Sequence, residues 1–302
     1  MGRGHSGSTV LDLILGNHNE IIGVGELTSG FGFRNGLDTC SCGELIEHCI
    51  FWKEVWEELK EKYPDTNMEE YSQMMDYMVR FYRLPQLVSN IGLPDWVTNN
   101  FTEMTFDLYK LIAVNSECNY IVDSSKELAY AYYLLKTFPV NVKIIHLVRD
   151  GRGVMWSRLR RLQAGQPFQF LRYYLSPKHY FAKMLLTVLS WNFANYWGIL
   201  LRSIYPKRVL QVRYEDLGTD LTEEVLRIGK FLNLNMTKLV NNLENQGMLK
   251  IGHNIGGNQM KNNPSGIFRF QPDYAWQRCL PTKYKALFVL ISLPLALYYG
   301  YI

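Results

Sequence analysis

With 302 residues, 47% apolar and 20% charged, the chain has the composition of a globular protein with a substantial core, which excludes disordered and fibrous classes. Its formal net charge of +4 suits a pocket for an anionic ligand but falls well short of a nucleic-acid footprint, so no nucleic-acid partner is expected. Five cysteines are too few for a disulfide scaffold.

The chain opens on a glycine-rich stretch, residues 1–9, followed by the apolar run Val10 to Leu15. Gly2, Gly7 and Thr9 fall on the phosphate-loop pattern G-x-x-x-x-G-K-[ST], with Ser8 where the lysine would stand. Such a loop points backbone N–H groups and the positive end of the next helix at an anion. Without the lysine that reaches the β/γ-phosphates of a nucleoside triphosphate, ATP and GTP are poor fits, and a shorter phosphate group suits better. The competing reading is a flexible Gly/Ser tail. A phosphate loop follows a buried strand, and none precedes this one, so either that strand has been lost or, the favoured expectation, it lies upstream of Met1. As the chain stands the expectation is a cytoplasmic protein. An N-terminal anchor in the missing part would place it in the Golgi lumen.

Val10 to Gly16 reads as a helix and Ile21 to Val24 as a short strand, leading into a glycine-rich loop through Gly36. Phe51 to Tyr63 carries Trp52, Val55, Trp56 and Leu59 at helical spacing. Residues from about Met68 to Ser116 read as mostly helical, broken near Pro85 and Pro94. Tyr120 to Asp123 is a β-rich run, and Lys126 to Phe138 a helical pattern ended by Pro139. Val142 to Val148 reads as a buried strand, residues 149–153 as a turn, and a helix follows from about Val154. Strand, helix, strand, helix at this spacing predicts a parallel βαβ unit with a right-handed crossover. A long helix from about Tyr180 to Ile204, a strand Val209 to Arg213 and a helix from Thr222 to Leu232 complete the pattern. Met184 to Leu201 and Ala286 to Ile302 are apolar, but Asn192 and Asn195 in the first and Pro294 in the second argue for buried helices over membrane spans. The fold class expected is α/β, with a central parallel sheet flanked by helices in a three-layer, P-loop-like architecture. A single domain over 1–302 would carry a helical insertion at about 51–118.

Ligands bind at the carboxyl ends of the strands in a parallel sheet. Three polar sets fall there: the opening loop, Asp123-Ser124-Ser125-Lys126, and Arg149 with Ser157 near the first turn of the next helix. Arg149 and Ser157 can meet one anion, a guanidinium from one side and a hydroxyl from the other. The structural alternatives are Arg149 paired with Asp150 or Glu215, and Ser157 as an ordinary helix residue.

At this point the sequence resembles a known family. His5-Ser6-Gly7-Ser8-Thr9 is similar to the 5′-phosphosulfate loop of sulfotransferases that use 3′-phosphoadenosine 5′-phosphosulfate (PAPS). The run Leu147 to Arg158 resembles their 3′-phosphate motif, with Arg149 and Ser157 eight apart. The likeness extends to Gly25-Glu26-Leu27, Cys40-Ser41-Cys42-Gly43, Asp123 to Lys126, Tyr214-Glu215-Asp216 and 256–261, and is nearest the bacterial, carbohydrate and protein-tyrosine branches. It implies that Gly4, Ser6, Gly7, Ser8 and Thr9 bind the 5′-phosphosulfate, and Arg149 and Ser157 the 3′-phosphate. Tyr214 would lie near the adenine, and Gly257, Asn258 and Lys261 in a loop closing over the nucleotide. His5 stands where the family has Arg or Lys at the leaving oxygen, Lys126 matches a lysine facing the sulfuryl group, and Glu26 matches a glutamate that deprotonates the acceptor. The physics agrees: an attacking alcohol must lose a proton as charge builds on the departing phosphate. The alternative for Glu26 is a solvated loop carboxylate.

Cys40, Cys42 and Cys49 beside His48 raise the question of zinc, but C-x-C-x₆-C lacks a second paired spacing. The expectation is buried or bridged cysteines framing a lid, and no metal, since protein cations activate the donor. The aromatic run Phe168 to Phe181 reads equally as core or as an acceptor platform. The reading is therefore an enzyme that moves a sulfuryl group from PAPS to an acceptor with a free hydroxyl, leaving 3′-phosphoadenosine 5′-phosphate (PAP). A carbohydrate acceptor comes first, then protein tyrosine or a small alcohol or phenol. A P-loop kinase and a non-catalytic nucleotide-binding module are the alternatives.

Overall fold

A computed structural model describes residues 1–2, 4–30, 39–140, 142–164, 179–246, 249–250, 252–257, 267–268 and 272–302. The elements begin with α1 (Ser8–Leu15), β1 (Ile21–Gly25), α2 (Leu27–Gly30), α3 (Ile50–Lys62), α4 (Met68–Met78), α5 (Leu84–Ser89) and α6 (Thr102–Ser116). Next come β2 (Tyr120–Asp123), α7 (Leu128–Thr137), β3 (Ile144–Val148), α8 (Gly151–Gln163), α9 (Tyr180–Ile204), β4 (Val209–Arg213) and α10 (Tyr214–Thr219). The chain closes with α11 (Leu221–Leu232), α12 (Thr237–Gln246), β5 (Leu249–Lys250), β6 (Ile267–Phe268), α13 (Trp276–Cys279) and α14 (Thr282–Tyr298). Two compact units result. One holds Met1, Ser8–Lys143 and Val225–Phe270, the other Gly2–Gly7, Ile144–Glu224 and Gln271–Ile302.

In the first unit β1 and β2 pair in parallel, Ile21 opposite Tyr120 and Gly23 opposite Val122, with an irregularity between Gly23 and Gly25. A parallel pair needs a long crossover, and α2 to α6 lie between these strands in the chain. Helix α1 is buried all round, Val10, Leu11, Leu13, Ile14 and Leu15 together with the acid Asp12. In α3, Phe51, Trp52, Val55 and Leu59 form the buried face and Lys53, Glu54, Glu57 and Lys60 the exposed one. That face packs on α6, where Met104, Leu108 and Ile112 are buried. Each such side chain contributes roughly 1.5–3 kcal/mol of transfer free energy. Helix α4 starts at a capping box, Asn67 accepting from the Glu70 amide and Glu70 from the Asn67 amide. Pro85 opens α5 instead of breaking a helix, because a first-turn residue needs no intrahelical N–H donor.

In the second unit β3 and β4 pair in parallel from Ile144 opposite Val209 to Val148 opposite Arg213. Gly2 forms a parallel bridge with Leu147. A Cβ on Gly2 would lie 2.6 Å from the Leu147 carbonyl oxygen, so the close pairing needs glycine. Helices α8, α9 and α14 share a core of Val154, Met155, Met184, Val188, Trp191, Phe288 and Leu295. His146 on β3 is buried, and burial lowers its pKa to about 3, so it is a neutral core residue.

Three expectations change. β2 pairs with β1 and β3 with β4, so among the described residues the two strands of Tyr120 to Val148 are not paired directly with each other. Among the described residues each unit holds one parallel pair, and β5 with β6 adds an antiparallel one, so the fold is the expected α/β class, mostly helical with small parallel sheets. Chain-adjacent strands need not be sheet neighbours in α/β folds. Helix α8 begins at Gly151, a turn earlier than expected, with Asp150 as its N-cap accepting from the Arg152 amide at 2.8 Å. Gly151 and Gly153 are packing glycines: a Cβ at the first collides with Phe288, and at the second it lies 2.9 Å from Arg149 Nε. The terminal helix α14 is buried on one face only, Tyr284, Phe288, Ser292, Leu295 and Ala296, while Leu290 is 82% exposed. Helix α9 is long and apolar enough to cross a membrane, with 44% of its apolar window buried. Its asparagines are used in packing, Asn195 Nδ2 donating to the Trp191 carbonyl and Asn192 Nδ2 to Ser292 Oγ of α14 at 2.7 Å.

Candidate active site

In the first unit the candidate residues gather where β1 ends. Gly25 has φ +76°, and a Cβ there would collide with the Ile255 carbonyl, so the strand turns where only glycine fits. Its N–H donates to Asp12 Oδ2 at 3.1 Å, and Asn254 Nδ2 donates to Asp12 Oδ1. Burial raises the Asp12 pKa to about 7. The next residue, Glu26, donates its N–H to the Ile255 carbonyl at 2.7 Å. From the end of β2, Asp123 takes the Ser125 amide in an Asx-turn at 2.8 Å and the Tyr109 hydroxyl at 2.7 Å. Burial raises the Asp123 pKa. This turn delivers Lys126, whose ammonium donates to Glu26 Oε1 in an ion pair with side chains only 19% and 16% exposed. Gly257, at φ +80°, lies against both Thr9 and Glu26. A Cβ on it would come within 3.2 Å of Thr9 Oγ1 and 3.5 Å of Glu26 Oε1. Thr9, Glu26, Lys126 and Gly257 are thus one cluster at the carboxyl end of a parallel strand.

Ser8 opens α1, whose first-turn amides have no intrahelical acceptors. Its Oγ is buried with no hydrogen-bond partner in the structure. A buried hydroxyl without a partner costs about 1–3 kcal/mol, and an anion at the helix N-terminus would satisfy it. The donor set therefore fits a phosphate or phosphosulfate group.

In the second unit His5 is the centre. It adopts φ +74°, a left-handed conformation costing roughly 1–2 kcal/mol for a non-glycine residue. That turn presents its carbonyl to Arg149 Nη1 at 3.0 Å and its ring Nδ1 to Ser157 Oγ at 3.3 Å. Arg149 is 6% exposed. Its Nη2 donates to the Asp273 carbonyl at 2.7 Å, and its guanidinium stacks over the Tyr214 ring at 4.4 Å. The alternative partners are engaged elsewhere: Asp150 with Arg152, and Glu215 with the Asp150 amide and the Tyr301 hydroxyl. Tyr214 packs against Gly7 as well, where a Cβ would lie 2.5 Å from the ring, and its hydroxyl accepts from the Asp273 amide at 3.0 Å. Ser6 is buried, while a Cβ on Gly4 would meet nothing within 4 Å. Arg149 and Ser157 do come together, around His5. Tyr214 carries Arg149 and Gly7 on its ring.

Asn258, Lys261 and residues 168–178 of the aromatic run lie outside the described residues. Reasoning from the sequence missed four residues. Asp12, a lone acid inside an apolar run, was a readable signal of a buried polar role. Asn254, Asp273 and His253 carry none, since each meets its partner only through the fold.

Residues 1–238 of the chain match the sulfotransferase family. Among solved structures the chain is similar to the sulfotransferase domain from the curacin biosynthetic pathway, at 17% identity over 97% of this chain and 90% of that one, with a TM-score of 0.47. It is also similar to the sulfotransferase domain from the Synechococcus PCC 7002 olefin synthase, at 18% identity over 96% and 91%, TM-score 0.45. A third similar structure is the sulfotransferase STF9 from Mycobacterium avium, at 14% identity over 82% and 67%, TM-score 0.47. No curated protein matches the chain.

Proposed function

The chain belongs to the sulfotransferase family, and from that premise we propose that it transfers a sulfuryl group from PAPS to an acceptor hydroxyl, a carbohydrate or glycan first. The observation that carries the reading is the Glu26–Lys126 pair beside Thr9 and Gly257 at the end of β1. A base and a cation held there are what an in-line transfer to an alcohol needs. The donor supplies the sulfuryl group already activated on a phosphate. Ser6 to Thr9 hold its 5′ end through amides and hydroxyls, and Arg149 with Ser157 holds the 3′-phosphate. Tyr214 positions Arg149 and Gly7 for that task. Glu26 takes the acceptor proton and Lys126, paired with it, faces the charge that builds on the leaving side, while His5 carries the leaving-oxygen role that the sequence resemblance gives it. The carbohydrate preference rests on the sequence resemblance.

The test is an acceptor panel of glycans, tyrosine peptides and small phenols with radiolabelled PAPS, run beside labelled ATP with Mg²⁺. The expected result is sulfate on a glycan without added Mg²⁺. Label transferred only from ATP, and only with Mg²⁺, would replace this reading with a kinase.

A further inference from the structure

We propose that Cys40, Cys42, Cys49 and His253 form a tetrahedral zinc site that fastens the 252–257 segment beside Glu26. The sequence offers three cysteines and a nearby His48, but His48 is exposed and pairs with Glu47 at 3.6 Å. The fourth ligand comes from the far end of the unit. The three sulfurs and a His253 ring nitrogen lie within 4.8 Å of one another. His253 Nδ1 is 3.3 Å from Cys49 Sγ and 3.7 Å from Cys40 Sγ. Around a tetrahedral zinc with Zn–S of about 2.3 Å and Zn–N of about 2.0–2.1 Å, sulfur and nitrogen ligands stand about 3.5 Å apart. The cysteines are free thiols, Cys40 and Cys49 buried and Cys42 exposed, so of the buried or bridged arrangements expected it is the buried one that Cys40 and Cys49 adopt.

The surroundings aim all four ligands at one point. Gly43 at φ +99°, its N–H on the Cys40 carbonyl and the Cys40 N–H on the Glu44 carbonyl make a tight knuckle carrying Cys40 and Cys42. Cys49 is the residue that enters α3. The His253 ring stacks on Phe51, centroids 5.3 Å apart and planes 16° apart, and its carbonyl accepts from Trp52 Nε1 at 2.8 Å. Ser41 ties the two segments directly, its N–H to the Asn254 carbonyl at 3.0 Å and its Oγ accepting the Asn254 N–H at 2.8 Å. Three thiolates and an imidazole select zinc over magnesium or calcium. Four protein ligands leave no open position, which makes the ion structural. Binding releases the thiol protons to solvent. The held segment continues directly into Asn254, which donates to Asp12, and Ile255, which brackets β1 and Glu26 through the Val24 carbonyl and the Glu26 N–H. The ion is thus a positioning device and takes no part in the transfer.

The experiment uses the full chain purified under reducing conditions. Metal analysis should find about one zinc per chain, released in step with thiol modification by a mercurial. Co²⁺ substitution should give the intense visible bands of a tetrahedral site and a thiolate charge-transfer band. Cys42→Ser, at an exposed ligand, should weaken zinc binding at least about tenfold, as ligand-shell changes do. Zinc below about a tenth of the chain concentration after reconstitution, a six-coordinate cobalt spectrum, or a disulfide among these cysteines would each overturn the proposal. If Cys42→Ser fails to fold, the wild-type cobalt spectrum and thiol-linked release still decide. None of these readouts depends on sulfuryl transfer, so failure here and failure of the functional reading are distinguishable.

Discussion

Replacing Glu26 by glutamine removes its negative charge and basic oxygen while keeping an oxygen that can accept from Lys126 Nζ. The pair is more than four-fifths covered. Exposed ion pairs contribute about 0–1 kcal/mol, and leaving a buried charge unpaired costs about 3–5 kcal/mol. With an acceptor retained, the stability cost should fall between these figures, at about 1–2 kcal/mol. Against a typical total of about 5–15 kcal/mol, the variant stays folded. Turnover should nevertheless fall by roughly 10²–10⁴, or about 3–5 kcal/mol of barrier, with donor KM little changed. The two losses differ enough that unfolding cannot imitate lost base catalysis. Initial rates with radiolabelled PAPS give kcat and KM, and thermal denaturation gives the stability term. An acceptor with an acidic hydroxyl needs less help, so it should partly rescue Glu26→Gln and hardly rescue Lys126→Ala. Because the residues touch, the double variant should depart from additivity by about 0.5–3 kcal/mol. Wild-type turnover in Glu26→Gln would falsify the assignment and move the search for a base to His5.

Ser157→Ala should weaken PAPS binding about tenfold to a hundredfold, a charge-assisted bond being worth about 1.5–3 kcal/mol, and the loss should vanish for a donor lacking the 3′-phosphate. Equal losses with both donors in equilibrium binding would remove Ser157 from that role. Asp12 should make stability fall as pH rises. Burial raises its folded pKa to about 7 from the ordinary carboxyl value of 3.8, so the native state holds a proton that the unfolded chain has already released. The contribution is full below pH ~4 and lost by pH ~7 at about 1.4 kcal/mol per pH unit, roughly 4 kcal/mol in all. Urea denaturation at several pH values should show that slope flattened in Asp12→Asn, and an unchanged slope would place the titration elsewhere.

Much of the secondary structure follows from short-range chemistry and was legible without a fold. Apolar spacing marks α3 and the apolar runs mark β1, β3 and β4, because period and burial are properties of neighbouring residues. The phosphate-type loop and the Arg149–Ser157 spacing are local too, since a strand–turn–helix brings its own ends together. What only the tertiary structure decided are pairings between distant residues. Which strand lies beside β2 depends on crossover packing, and whether Gly151 and Gly153 turn or pack depends on Phe288 and Arg149. Asp273 reaches Arg149 across 124 residues. His253 reaches Cys49 across 204, and no spacing rule within C-x-C-x₆-C can supply a ligand brought in by chain closure over that distance.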